Sequence, residues 1–290
     1  MNKICEELYD LICPKFLKKL YREKRLGVVD YRQIPYKEEY KSEYEYIKTH
    51  KVTGMFPYEW VDEYVFDICK VYSEDENQNY SLILDDKNEI HKLFWKKNTL
   101  GRENGKYLNS LIVEQDKRSP HHYFSNNVFL TDDTILFDLG AAEGYISLKY
   151  ITTIKKAYLF ECDKEWCDSL RRTFLDYSDK VEIINKLVSD KNDEENTTLD
   201  YYLEKHVADR VCIKMDIEGY EKVVVQNILD RVCDYKNICF CCCTYHNKED
   251  AKILEGLFEE HGYKVEFSDG WMVLGEPREF RKGMIRAWKE

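Results

Sequence analysis

Thr134-Ile135-Leu136-Phe137-Asp138-Leu139-Gly140-Ala141-Ala142-Glu143-Gly144-Tyr145 is the stretch from which the fold of this 290-residue chain can be read. An apolar run ends on an acid, and two glycines follow with three residues between them. An unbroken run of this kind suits a strand buried on both faces of a parallel sheet. Glycines where strand becomes helix let the backbone turn sharply and lie flat against a ligand. The Gly-x-x-x-Gly spacing is neither the Gly-x-Gly-x-x-Gly of dinucleotide sites nor a phosphate loop ending in Gly-Lys-Ser/Thr. The loop holds no lysine or arginine, so a pyrophosphate or triphosphate is a poor guest. Asp138 and Glu143 suit a ligand with a positive centre and an amino-acid tail.

S-adenosylmethionine is such a ligand, and the next acid agrees with it. Lys156-Ala157-Tyr158-Leu159-Phe160-Glu161 reads as the second strand. An acid about 20 residues beyond the glycine turn, at the end of that strand, is placed to accept the ribose hydroxyls. In the plainer alternative, Gly140 and Gly144 only make the turn and Glu161 is a solvated strand end.

Composition narrows the function further. A net charge of −11 argues against a chain that grips nucleic acid or an anionic membrane through a general positive field. No apolar run approaches the roughly 20 residues a spanning helix needs. The N-terminal Met1-Asn2-Lys3-Ile4-Cys5-Glu6-Glu7 lacks the apolar core and cleavage site of a secretory signal. Four of the 11 cysteines crowd into Ile238-Cys239-Phe240-Cys241-Cys242-Cys243. That spacing is not the paired Cys-x-x-Cys of zinc sites. It fits small buried hydrophobes in a strand, in a reducing cytoplasm.

Along the chain, residues 1 to about 60 read as helical and irregular. Tyr36, Tyr40, Tyr44 and Ile47 recur at helical spacing, as core packing or, alternatively, as a lid. Residues 80–84 and 90–95 read as a β-hairpin. Gly101 and Gly105 punctuate, with a short helix after them. Candidate strands follow at 134–139, 157–161, 181–187, 210–216, 237–243, 263–268 and 271–275. Helical stretches such as 165–175 and 218–229 lie between the first five. Alternation of this kind predicts a parallel sheet covered on both faces. The last two strands meet across Asp269-Gly270, a hairpin signal. The expected fold is therefore α/β, a mostly parallel Rossmann-like methyltransferase sheet with an antiparallel C-terminal hairpin. An N-terminal helical and β-hairpin extension (1–125) precedes the cofactor-binding domain (126–290).

The residues suited to chemistry cluster at strand ends. Val211-Cys212-Ile213-Lys214-Met215-Asp216-Ile217-Glu218-Gly219-Tyr220-Glu221 brings three carboxylates to the end of the fourth strand. Ligands of open α/β sheets sit outside the carboxyl ends of the strands, where strand order reverses. The first and fourth strands flank that reversal, so Asp138 and Asp216 should face one crevice. Asp216 could instead cap the following helix, with Glu218 and Glu221 complementing its positive end. Cys243-Thr244-Tyr245-His246 places a histidine at the end of the fifth strand, where its ordinary pKa suits proton transfer. Trp271 could stack on a ring or pack within the hairpin.

Together, Phe137-Asp138-Leu139-Gly140-Ala141-Ala142-Glu143-Gly144, Phe160-Glu161 and Lys214-Met215-Asp216-Ile217-Glu218-Gly219-Tyr220-Glu221 resemble the FkbM family of S-adenosylmethionine-dependent methyltransferases. Thr198-Leu199-Asp200 is similar to a further element of that family. The resemblance runs from about 134 to 275 and implies O-methylation of a sugar or polyketide hydroxyl in a bacterial pathway. It implies that Asp138, Gly140 and Gly144 line the methionyl part of the cofactor, with Ala142 and Glu143 in the same loop. Glu161 would take the ribose, and Ser189 and Asp190 would border the adenine. Cys162 departs from the proline many members carry there. The N-terminal third, with Ser119-Pro120-His121, resembles members associated with surface polysaccharide synthesis. The expected acceptor is a small molecule or glycan rather than nucleic acid.

In-line methyl transfer gains from positioning and from a base that takes the acceptor's proton. Asp216, Glu218 and His246 are the catalytic candidates, with His246 as a neutral base and no metal, and Asp216 also counts among the cofactor-binding candidates. Mg²⁺ on Asp216 and Glu218 is the other route. A cofactor-binding partner protein without catalysis is the alternative function. A nicotinamide oxidoreductase is disfavoured by the missing Gly-x-Gly-x-x-Gly.

Overall fold

The structure is a computed structural model describing residues 28–64, 69–207, 209–233, 235 and 237–289. The helical character expected of residues 1–27 lies outside the described residues. A 3-10 turn, Glu38–Tyr40, leads into helix α1 (Lys41–Thr49). Tyr40 and Ile47 are buried and Tyr44 is partly so, whereas Tyr36 stays exposed. Their cluster includes Val273 and Phe280. The Tyr40 ring lies 4.3 Å from that of Phe280 and 5.4 Å from that of Trp271. The aromatic stripe is thus core packing, and Trp271 packs in the same cluster.

Strands β1 (Val71–Ser73), β2 (Asn79–Leu84) and β3 (Ile90–Phe94) form an antiparallel sheet that contains the expected hairpin. Asp85 closes its turn by accepting from the backbone N–H of Lys87 and Glu89 at 2.9 and 2.7 Å. Helix α2 (Gly101–Glu114) begins at the first glycine and runs through the second, where punctuation was expected. Each interior glycine costs a helix about 1 kcal/mol. Burial of Leu108 and Val113 offsets that cost.

The central sheet then builds in alternation. Its elements are β4 (Thr134–Leu139), α3 (Tyr145–Lys149), β5 (Lys156–Phe160), α4 (Lys164–Thr173) and β6 (Val181–Ile184). A short parallel pair, β7 (Leu187–Val188) and β8 (Asn196–Thr197), stands apart. The third strand therefore ends at Ile184, three residues earlier than expected. After α5 (Asp200–Leu203) come β9 (Arg210–Met215), α6 (Glu221–Ile228), β10 (Ile238–Cys243) and α7 (Asp250–Glu260). The last strands are β11 (Lys264–Phe267), β12 (Met272–Leu274), β13 (Glu279–Arg281) and β14 (Met284–Trp288).

The seven-stranded order is β11-β14-β10-β9-β4-β5-β6. β10, β9, β4, β5 and β6 run parallel, and β14 runs antiparallel between β10 and β11. This is the Rossmann-like methyltransferase sheet. Its antiparallel part differs in detail from the expected hairpin. Gly270 does turn the chain, with φ +84°. However, β11 pairs with β14, and β12 pairs with β13 in a separate ribbon. The strand inserted between β10 and β11 is covered on both faces: Met284, Ile285 and Ala287 have no exposure, and the buried Arg286 donates to the carbonyls of Tyr123 and His122.

Two-residue periodicity splits β4 between two cores. Ile135, Phe137 and Leu139 pack with Val224 and Val225 of α6 and Phe258 of α7. Leu136 joins the opposite face with Leu148 of α3, Leu170 of α4, Trp95, and Leu108 of α2. The cysteines of β10 split likewise, with Cys239, Cys241 and Cys243 on one side and Cys242 on the other. All four are free, buried thiols. The β2–β3 hairpin and α2 therefore share one core with the sheet and stand over the helix α3 side of β4.

Candidate active site

The crevice opens where β4 and β9 lie side by side, with β5 leading one way and β10 the other. Gly140 has φ +72°, and any Cβ there would run into the Asp216 carbonyl and come within 3.3 Å of Ile217 Cγ2. The bare backbone is what lets the ends of β4 and β9 converge. Gly144, with φ +81°, sits against Leu170 Cδ2 and Phe174 Cε2, 2.6 and 2.8 Å from where a Cβ would be. Ala142 between them also takes a left-handed backbone, φ +46°.

Glu161 ends β5 and braces this loop. Its Oε2 accepts from Ala142 N–H at 2.9 Å, and its Oε1 accepts from Asp163 N–H at 2.8 Å. A carboxylate has about four lone-pair sites, so two such bonds leave room for a ligand's hydroxyls. Ser189 is buried and donates to Asn196 Oδ1 at 3.3 Å, whereas Asp190 is exposed.

Asp138 is committed inside the protein. It accepts from Ser147 Oγ at 2.7 Å and lies 2.9 Å from Lys214 Nζ. Lys214 also donates to the Gly140 carbonyl at 2.8 Å. Burial opposes its charge, but the nearby Asp138 and Asp216 carboxylates outweigh burial and raise its pKa. Sequence reading missed this lysine as a site residue, although it stands in the quoted Lys-x-Asp run.

Asp216 does not cap α6: Tyr220 precedes the helix without a side-chain cap. Its Oδ2 accepts from Tyr123 OH at 3.0 Å and its Oδ1 from Tyr245 OH at 3.2 Å. His246 Nε2 lies 3.3 Å from the same Oδ1. Burial would raise the Asp216 pKa, but His246, Lys214 and His121 together hold it far below the usual range. Asp216 is therefore a stable anion.

His246 is held between carboxylates, with Nδ1 3.0 Å from Glu221 Oε1 and Nε2 against Asp216. Burial favours the neutral ring, yet the hydrogen bonds and charges of Asp216 and Glu221 prevail and push its pKa up to about 10. At neutral pH it is an imidazolium, whereas a neutral base was expected. Asp216, Glu221 and His246 come close enough to enclose a cation, and the protonated ring itself supplies positive charge between the carboxylates. Glu218 is 93% exposed and approaches His246 Nε2 at only 3.7 Å.

The crevice has a second histidine, His121, which precedes the domain boundary drawn from sequence. It is buried, 3.2 Å from Tyr245 OH and 3.8 Å from Asp216 Oδ2. Burial pushes its pKa down to about 4, so this ring is neutral. Glu114, at the end of α2, approaches His121 Nδ1 at 4.0 Å. Glu143 is buried, and its Oε2 has no hydrogen-bond partner among the described residues. Burial pushes its pKa up to about 7. An enclosed acid with an unsatisfied oxygen in the glycine loop fits the ammonium of a methionyl group.

Comparison with known proteins shows the family. The sequence profile of the methyltransferase FkbM domain matches residues 103–265, more than half of the chain. The chain belongs to the FkbM methyltransferase family. It is thus a methyltransferase, and its cofactor is S-adenosylmethionine. The FkbM match spans residue 126 and takes in most of α2, His121 and Tyr123 as well as the parallel strands β4, β5, β6, β9 and β10. No curated protein matches the sequence. Among solved structures, one from Streptococcus mutans, described as a methyltransferase in complex with SAH, is 12% identical with a TM-score of 0.39. It covers 56% of this chain and 91% of its own. An rRNA methylase from Streptococcus thermophilus is 15% identical with a TM-score of 0.34, covering 55% and 86%. The precorrin 8W decarboxylase of Methanobacterium thermoautotrophicum is 10% identical with a TM-score of 0.39, covering 56% and 83%. Likenesses this remote say nothing of the acceptor.

Proposed function

We propose that this FkbM protein O-methylates a hydroxyl of a sugar or glycan intermediate in bacterial surface polysaccharide or secondary metabolite biosynthesis. The observation that carries the reading is the acceptor side of the crevice, where the ionised Asp216 is ringed by Tyr123, Tyr245 and two histidines. Carboxylates and phenols of this kind accept and donate to polyol hydroxyls. A net charge of −11 supports a glycan or small molecule over nucleic acid. The buried free thiols of β10 support a reducing, cytoplasmic setting.

In the division of labour proposed here, residues 126–290 bind the cofactor and residues 1–125 supply part of the acceptor side. Asp138, Gly140, Ala142, Glu143 and Gly144 line the methionyl end, Glu161 takes the ribose, and Ser189 and Asp190 border the adenine. When bound, S-adenosylmethionine supplies a methyl group on an already activated sulfonium. Asp216 then orients the acceptor hydroxyl, and the His246 imidazolium fixes Asp216 in turn. Glu218, reaching from solvent, closes the rim. Holding the reacting atoms in line can contribute about 7–11 kcal/mol in favourable cases. No metal is needed in this scheme, so turnover should survive exhaustive chelation; complete loss restored by added Mg²⁺ would replace it with metal-assisted transfer.

The reading is tested by incubating the protein with methyl-labelled S-adenosylmethionine and separate pools of saccharides, nucleotide-linked sugars and RNA. Label should enter a saccharide pool. Tight binding of S-adenosylhomocysteine with no label in any pool would favour a catalytically inactive, cofactor-binding partner protein.

A further inference from the structure

Asp216 and His246 hold each other in their charged forms, which leaves open what takes the acceptor's proton. Nearly every other carboxylate at the crevice is already engaged. Asp138 is paired with Lys214 and Ser147. Glu161 carries two backbone N–H groups, and Glu221 accepts from Ile217 N–H at 2.8 Å. Glu143 keeps one oxygen unsatisfied among the described residues, but it lies in the glycine loop and is assigned to the methionyl ammonium in the proposed reading. Glu114 differs. Among the described residues its one close polar approach is to His121 Nδ1, and its side chain keeps 23% exposure.

Its position is specific. Glu114 ends α2, the helix that stands over the glycine-loop side of the sheet. The charges that act on it are those of Asp216 just after β9, Glu143 in the glycine loop and Lys214 in β9. Its own charge is felt by Tyr107 on α2, by Tyr123 and by Tyr245. Glu114 reaches the crevice at His121, 4.0 Å from its Nδ1, and the Nε2 of the same ring lies 3.8 Å from Asp216 Oδ2 and 3.2 Å from Tyr245 OH.

We infer that Glu114 is the catalytic base of the transfer, and that His121 is its positioning residue. This deepens the proposed O-methylation and rests on it. As the acceptor oxygen forms its bond to the methyl carbon, the carbon–sulfur bond breaks and its electron pair stays on sulfur. The hydroxyl proton passes to the Glu114 carboxylate, which later releases it to solvent. Burial, and then the charges of Asp216 and Glu143, push the Glu114 pKa up to about 8, in the range where a base works best near neutral pH. Positive charge brought in beside it would lower that value and ready the carboxylate before the acceptor reacts.

Glu114→Gln keeps the helix and removes the base. One readout needs no acceptor: the proton released on binding S-adenosylmethionine, measured by calorimetry at pH 7 in two buffers of different ionisation enthalpy. Wild type should release protons, and Glu114→Gln should release distinctly fewer; S-adenosylhomocysteine, lacking the sulfonium charge, should give a smaller difference. Equal release by the folded variant would overturn the inference. With a saccharide that wild type methylates, Glu114→Gln should lose about 10²–10⁴-fold in kcat, retain cofactor affinity and lose the acidic limb of the pH–rate profile. Near-normal kcat with that limb intact would also overturn it. A wild-type protein that methylates no saccharide while the proton release still depends on Glu114 would overturn the acceptor reading and support the placement of Glu114.

Discussion

Single residues in this crevice are set by pairs of charges. His246 titrates near 6.5 when free and is pushed up to about 10 here. A histidine whose pKa is raised on folding contributes stability that is complete below its unfolded pKa. That stability is lost as pH climbs through the folded value. His246→Gln should therefore be less stable than wild type at pH 6, and the gap should narrow steadily toward pH 10. Urea denaturation across that range measures it; a constant gap would show that the ring is not charged in the native state. Glu161 should behave differently, because it serves both loop and ligand. Removing one partner of a charge-assisted hydrogen bond costs about 1.5–3 kcal/mol. Glu161→Ala should thus bind S-adenosylhomocysteine roughly ten- to a hundredfold more weakly. Unchanged affinity in a folded variant would remove Glu161 from the ribose.

Among the elements, the decisive contact is the close approach of β4 and β9 at Gly140. An L-residue in left-handed backbone costs roughly 1–2 kcal/mol, and at Gly140 a Cβ would also meet the Asp216 carbonyl. Gly140→Ala should lose more stability than that backbone cost alone and should weaken S-adenosylhomocysteine binding, as followed by urea denaturation and calorimetry. A variant that folds and binds like wild type would mean that the strand ends need not converge. Local pattern made this element readable from sequence, because apolar run, acid and glycines all belong to one turn. The same locality misled at Asp269-Gly270. A turn signal shows that the chain reverses but not which strand it then joins, and β11 found its partner in β14, beyond the ribbon of β12 and β13. Gly101 and Gly105 misled similarly, since tertiary burial of α2 overrides a modest propensity cost.

Across the whole molecule, the glycine loop and the Glu161 that braces it were legible, and the side of the crevice formed by residues before the sheet was not. Gly140, Gly144 and Glu161 follow a fixed spacing along neighbouring strands. Glu114, His121 and Tyr123 precede the sheet and reach the crevice only because the hairpin and α2 share a core with β4. No sequence spacing links them to Asp216; Tyr123 reaches it across 93 residues. Lys214 lay in plain view, but its ion pair with Asp138 depends on β4 and β9 being neighbours, a property of strand order rather than of either segment. In the proposed reading, the glycine loop serves the cofactor and the wall built by Glu114, His121 and Tyr123 serves the acceptor. The chemistry at that wall is tested most directly by the identity of the atom that receives the methyl group. Carbon-13-labelled methyl from S-adenosylmethionine, followed into the product by NMR, should appear as a methoxy group on a sugar carbon. Label on nitrogen, on a nucleobase or on protein would contradict O-methylation of a glycan.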